Sequence, residues 1–125
     1  MPENKNQQKV LIVEDEKALW RAMSLKLESS GFIVKVAANG KEAVDLLKTE
    51  RFNAIVLDLV MPVMDGFAVL EALKRNNIKI PVLAASNLAQ KEDIDRAKGL
   101  GVSHYFVKSN TSLAQIVEYV KKAIE

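Results

Sequence analysis

Cysteine is absent from this chain, which removes a disulfide framework and a thiolate metal site and fits a cytoplasmic setting. No apolar run approaches membrane-spanning length, and the N-terminus has no apolar core of a signal peptide. Charge of one sign is also missing. Eighteen basic residues face sixteen acidic ones, evenly mixed along the chain, so the net +2 gives no reason to expect a direct nucleic-acid ligand. Internal repeats, low-complexity segments and linkers do not occur. The one histidine, His104, precedes the last apolar run and reads as a loop residue rather than a ligand. What remains is 125 residues, 49% hydrophobic and 27% charged, which is enough for one globular domain with a proper core. The polar opening, residues 1–8, reads as a disordered tail, and residues 9–125 as the domain.

Short apolar runs recur at Val10–Val13, Phe32–Ala37, Ala54–Leu59, Pro81–Ala85 and Tyr105–Val107. They are mostly β-branched and lack polar alternation, as strands of a parallel sheet buried on both faces do. Helical patterns fill the gaps. Leu19, Met23 and Leu27 form one stripe, closed by Gly31. Asn39 with Glu42 and Ser112 with Gln115 are capping signals, and Asp65 is a good N-cap for a stripe of Phe67, Leu70 and Leu73. The last helix carries Leu113, Ile116, Val117, Val120 and Ile124 on one face. The stripe over Leu88–Leu100 is the weakest, which predicts the most mobile helix. Five β–α units with right-handed crossovers predict a doubly wound α/β sandwich.

Ligands of open parallel sheets bind beyond the carboxyl ends of the strands. There the chain places Glu14, Asp15 and Glu16 after the first strand and Asp58 at the end of the third. Ser86 and Asn87 follow the fourth, and Lys108 follows the fifth. Each alone has an ordinary explanation as a strand-end acid, a helix cap or a surface lysine. Their convergence on one edge does not. Carboxylates about 5 Å apart repel by roughly 3 kcal/mol per pair at an effective dielectric near 20. A divalent cation would relieve this, and all-oxygen ligands with few protein donors suit Mg²⁺. A lysine and a hydroxyl opposite the metal make a place for a tetrahedral anion, so the set reads as phosphoryl transfer onto Asp58.

The segments "VLIVEDEK", "IVLDLVMPVMDG", "PVLAASN" and "HYFVKSN", in that order, resemble the receiver domain of bacterial two-component response regulators. The resemblance runs from about Lys9 to the C-terminus. It implies a flavodoxin-like, five-stranded parallel sheet of order 2-1-3-4-5 with five helices. It also implies that Asp58 takes a phosphoryl group from a phosphohistidine, and that Glu14, Asp15, Asp58 and the Val60 backbone carbonyl bind Mg²⁺. Lys108 would pair with the phosphoryl group or the acceptor carboxylate, Ser86 would hydrogen-bond a phosphoryl oxygen, and Tyr105 would act as an aromatic switch. The implied partners are a histidine kinase or histidine phosphotransfer protein and a downstream protein target, with a phosphorylation-linked homodimer also allowed. Neither nucleic acid nor membrane is implied. The sequence stops with its fifth helix, so the expectation is either a single-domain regulator acting through protein partners or one domain of a longer protein, and in both cases not an enzyme beyond its own phosphorylation and slow dephosphorylation.

The chain departs from the family at three places. Ser109 follows the lysine where proline is usual, so the normally cis bond there is expected to be trans. Asn87 stands where a small side chain is favoured, and the acidic pair is Glu-Asp, with one longer arm. Val60 and Leu88 would flank the attacking water and neither orients it, which predicts a long-lived phosphoprotein. A flavin site would need a hydroxyl- and glycine-rich loop where "EDEK" stands. A haloacid-dehalogenase-type phosphatase would need its nucleophile on the first strand, with an acid where Lys17 lies. The remaining alternative is an interaction module that uses the scaffold without phosphorylation. Trp20, next to the core position Leu19, is expected at the edge of its helix, packed along a neighbour or offered to a phosphotransfer partner.

Overall fold

The structure, a computed structural model, describes residues 8–61, 63–87 and 91–125. Five strands alternate with five helices: β1 (Lys9–Val13), α1 (Lys17–Ser29), β2 (Ile33–Ala37), α2 (Gly40–Thr49), β3 (Ala54–Asp58), α3 (Gly66–Arg75), β4 (Val82–Ser86), α4 (Lys91–Gly99), β5 (His104–Val107) and α5 (Leu113–Ile124). All strand pairs are parallel, in the order β2-β1-β3-β4-β5. The expected doubly wound, flavodoxin-like sheet is therefore present. The expected tail lies outside the described residues except for Gln8, as do the first three residues of the expected Leu88–Leu100 helix.

The absence of polar alternation in the central strands has its cause in two cores. Successive residues of a strand point to opposite faces, and here both faces are covered. Leu11, Val13, Ile55, Leu57, Val82 and Ala84 pack with α2, α3 and Ala97 of α4. Val10, Ile12, Ala54, Val56, Leu83 and Ala85 pack with Met23 and Leu27 of α1 and with Ile116, Val117 and Val120 of α5. Trp20 is half-buried and packs against this second core.

β2 corrects the reading of uniformly buried strands. Ile33 is exposed and Val34 only half-buried, because β2 is a margin strand paired on one side. Lys35 in its middle turns out to reach Glu50, which also holds Lys9. His104 is a second correction. It is the first residue of β5, with its ring centroid 4.2 Å from that of Tyr119, and not a loop residue.

The caps hold as expected. Asp65 accepts from Ala68 N–H, Asn39 from Glu42 N–H, and Ser112 and Gln115 form a full capping box. Gly31, just past α1, has φ of 98°, a left-handed conformation that costs glycine little. No helix among the described residues is long and apolar enough to cross a membrane.

Candidate functional site

At the carboxyl edge of the sheet, an open cleft of about 570 Å³ is lined by Glu14, Asp15, Glu16, Asp58, Val60, Ser86, Asn87 and Lys108. Four strand ends supply these residues, and β2 at the margin supplies none. Tyr105 does not line the cleft. Burial pushes its phenol's pKa up, and the nearby Ser86 side chain opposes that shift without cancelling it. The other large groove, of about 470 Å³, lies at the opposite edge near Ile78, Pro81 and Leu100 and contains no acid.

The acids are drawn together by the chain itself. β1 and β3 are neighbours, with Val13 opposite Leu57, so the residues that follow them emerge side by side. Carboxylate oxygens of Glu14, Asp15 and Asp58 all lie within 4.8 Å of one another. Glu14 and Asp58 are only 2% and 4% exposed, while Asp15 is open to solvent. Burial pushes the Glu14 carboxyl above its ordinary value, and the neighbouring Asp58 charge adds to this. Lys108 opposes the shift without cancelling it.

Lys108 is the counter-charge. Its Nζ lies 2.8 Å from Glu14 Oε1 and 3.3 Å from Asp58 Oδ2. Burial pulls the lysine's pKa down, but the two carboxylates outweigh it and leave the ammonium form favoured. The other oxygen of Asp58, Oδ1, accepts from Val60 N–H at 3.1 Å. Glu14 Oε2 accepts from Glu16 N–H at 3.1 Å, which folds the acidic loop back on itself.

Two glycines allow the loops to close around this point. A Cβ on Gly66 would stand 2.5 Å from the Asp58 carbonyl oxygen and 2.6 Å from Leu59 Cα, so only glycine lets α3 start against the end of β3. Gly40 is pressed against Met64 in the same way. Between them Val63 has φ of 70°, an expensive conformation for a β-branched residue and one that marks the β3–α3 loop as strained.

Sequence reasoning missed two contacts. The lysine is closer to Glu14 than to Asp58. Asn87 Oδ1 accepts from Ser109 N–H at 3.1 Å, so the residue after Ser86 is tied to the residue after Lys108. The Lys108–Ser109 bond is trans, and Lys108–Asn110 forms a short 3-10 turn into α5. The signal for the second contact was present as two departures from the family pattern, but they lie 22 residues apart and nothing local pairs them. Leu88, expected to flank the cleft, lies outside the described residues.

An all-oxygen donor set of this size fits a hard divalent cation that keeps part of its water shell. Comparison with known proteins supports a site of this kind. The cell cycle response regulator CtrA of Brucella ovis is 37% identical over 100 residues, 80% of this chain and 43% of CtrA. The chain thus spans under half the length of the curated relatives it matches. The receiver domain of the Francisella response regulator 1452 superposes with a TM-score of 0.89 at 31% identity, covering 94% of this chain and 97% of that one. The receiver domain of the sensor histidine kinase PA1611 from Pseudomonas aeruginosa, with a magnesium ion coordinated in its active-site cleft, gives 0.84 at 26% identity, covering 94% and 98%. The profile of the response regulator receiver domain matches residues 10–121. The chain therefore belongs to the receiver-domain family of two-component response regulators, which are phosphorylation-based signalling domains rather than free-standing enzymes.

Proposed function

We propose that residues 9–125 form a phosphoacceptor receiver in which Asp58 takes a phosphoryl group from the phosphohistidine of a histidine kinase or phosphotransfer protein. One observation carries the reading: Asp58, Glu14 and Asp15 converge within 4.8 Å, and one lysine bridges the two buried acids. In the transfer, an Asp58 carboxylate oxygen forms the new P–O bond as the P–N bond breaks, and the imidazole leaves with the bonding pair. Glu14, Asp15, Asp58 and the Val60 carbonyl would hold Mg²⁺. When bound, the ion offsets the crowded negative charge and that of the incoming phosphoryl oxygens. Lys108 stands beside the acceptor oxygen as a fixed positive charge, and Ser86 at the cleft wall supplies a hydroxyl donor.

Tyr105 on β5 lies beside β4, which ends at Ser86, and this adjacency supports a switch. A serine drawn toward a phosphoryl oxygen vacates space that Tyr105 can occupy, and the change passes to β5 and the adjacent α4. That face would signal to a protein partner in the cytoplasm, or to a second copy of the chain on phosphorylation.

Incubation with acetyl phosphate and Mg²⁺ tests the reading, with Asp15→Ala beside wild type. The variant should lose Mg²⁺-dependent phosphorylation and gain stability in the metal-free state, since one repelling acid is gone. A magnesium titration unchanged in the variant contradicts the metal role. A wild-type protein that never gains phosphate identifies an interaction module that works without it.

A further inference from the structure

Ser86 ends β4 and Lys108 opens the 3-10 turn after β5, and the residues that follow each of them are joined to one another. Ser109 N–H donates to Asn87 Oδ1 at 3.1 Å. The donor lies in the first turn of the 3-10 segment Lys108–Asn110, where backbone N–H groups have no partner within the turn. A cap would normally come from the residue before the turn, but that is Val107, whose side chain has no acceptor. Asn87 supplies the acceptor from the end of the neighbouring strand.

The rest of the turn is fastened from within. Thr111 Oγ1 donates to the Val107 carbonyl at 2.8 Å, and Thr111 N–H reaches the Lys108 carbonyl at 3.4 Å. The bond that Ser109 N–H donates to Asn87 ties this turn to the end of a neighbouring strand. Lysine is long and flexible, so the place of its head group depends on where its backbone is anchored. Here the head must meet Glu14 and Asp58 at once, at 2.8 and 3.3 Å.

We infer that Asn87 is a positioning residue for phosphoryl transfer: its hydrogen bond to Ser109 N–H clasps the β4–α4 loop to the turn bearing Lys108 and holds that lysine on the acceptor site. The inference rests on Asp58 being the acceptor. The two departures from the family pattern become one device. Proline in place of Ser109 would restrict its own backbone and have no N–H to satisfy, whereas serine leaves a donor that Asn87 engages. With Oδ1 taken by Ser109, the carboxamide is also held in one of its two flip orientations, with Nδ2–H as its free donor.

Asn87 also occupies space in the cleft, so its removal opens access as well as breaking the clasp. A double-mutant cycle separates the two effects, because shielding by the side chain is the same whichever residue follows Lys108. Loading from acetyl phosphate at saturating Mg²⁺ is measured for wild type, Asn87→Ala, Ser109→Pro and the double variant. Asn87→Ala should slow loading by about two- to tenfold more in the Ser109 background than in the Ser109→Pro background, the value of one ordinary hydrogen bond. Mg²⁺ affinity should not move, since none of the metal-facing acids has changed. A second measurement needs no proline: amide exchange at Ser109 should quicken in Asn87→Ala, while the amides of β4 and β5 keep their protection. Equal effects of Asn87→Ala in both backgrounds, or a Ser109 amide no faster in the variant, overturn the clasp alone. A wild-type protein that takes no phosphate overturns the acceptor reading beneath it.

Discussion

A carboxylate only 2% exposed is costly to keep charged, and Glu14 is kept so by a lysine 2.8 Å away. Its pKa is raised, by burial first and by Asp58 next, so the folded state binds that proton more tightly than the unfolded chain. The stabilisation this gives is fully present below the unfolded value of about 4.3 and is lost as pH rises through the folded value. Lys108 does not confuse the window, because its own pKa is displaced upward from 10.5. Metal-free wild type should therefore lose stability relative to Glu14→Gln between pH 4 and neutrality, by about 1.4 kcal/mol for each unit of displacement. Denaturant unfolding of both proteins across that range measures it. Parallel curves would show that the acid carries no such load.

At this scale the positions were legible and the bonds were not. In a parallel sheet every strand delivers its carboxyl end to one edge, so Asp58, Ser86 and Lys108 could be placed together from strand ends alone. That Lys108 sits nearer Glu14 than Asp58 depends on side-chain length across a gap. Pattern and propensity carry no such information.

Among the elements, α3 is seated tightly against the end of β3. Its first residue, Gly66, donates its N–H to the Leu59 carbonyl at 3.1 Å and leaves no room for a methyl group against the Asp58 backbone. Gly66→Ala should cost at least the usual 1–3 kcal/mol of overpacking, roughly, because the obstructing atoms are backbone. It should also slow phosphoryl loading, since the pushed carbonyl belongs to the acceptor. Thermal melts and acetyl phosphate kinetics report the two effects, and an alanine variant with wild-type values in both would show that the helix can shift without disturbing Asp58. The helices were readable because their caps are local chemistry, as with Asp65 and Ser112. β2 was misread because burial depends on place in the sheet. Its place at the margin was expected, but its apolar run reads like that of a central strand, and the exposure of Ile33 there was not foreseen.

At the scale of the whole molecule, the proposed chemistry gathers at the carboxyl edge of the sheet, at the ends of β3 and β4 and in the segments beside them. Val60, 57% exposed at the cleft, has no group to orient a hydrolytic water. A missing orienting hydrogen bond is worth about 1 kcal/mol, or roughly fivefold in rate. Phosphorylated wild type should accordingly decay slowly with Mg²⁺ present, and Val60→Asn several times faster. Decay of wild type within seconds, or a variant no faster, would remove Val60 from the account.

The central claim is that Asp58 alone receives the phosphoryl group, and the direct measurement is intact mass with peptide mapping after incubation with acetyl phosphate and Mg²⁺. Wild type should gain one phosphoryl group, mapped to Asp58, and Asp58→Asn, which keeps the shape but loses the nucleophile, should gain none. Phosphate appearing on Asp58→Asn at the wild-type rate, or mapped to another residue in wild type, would contradict the account.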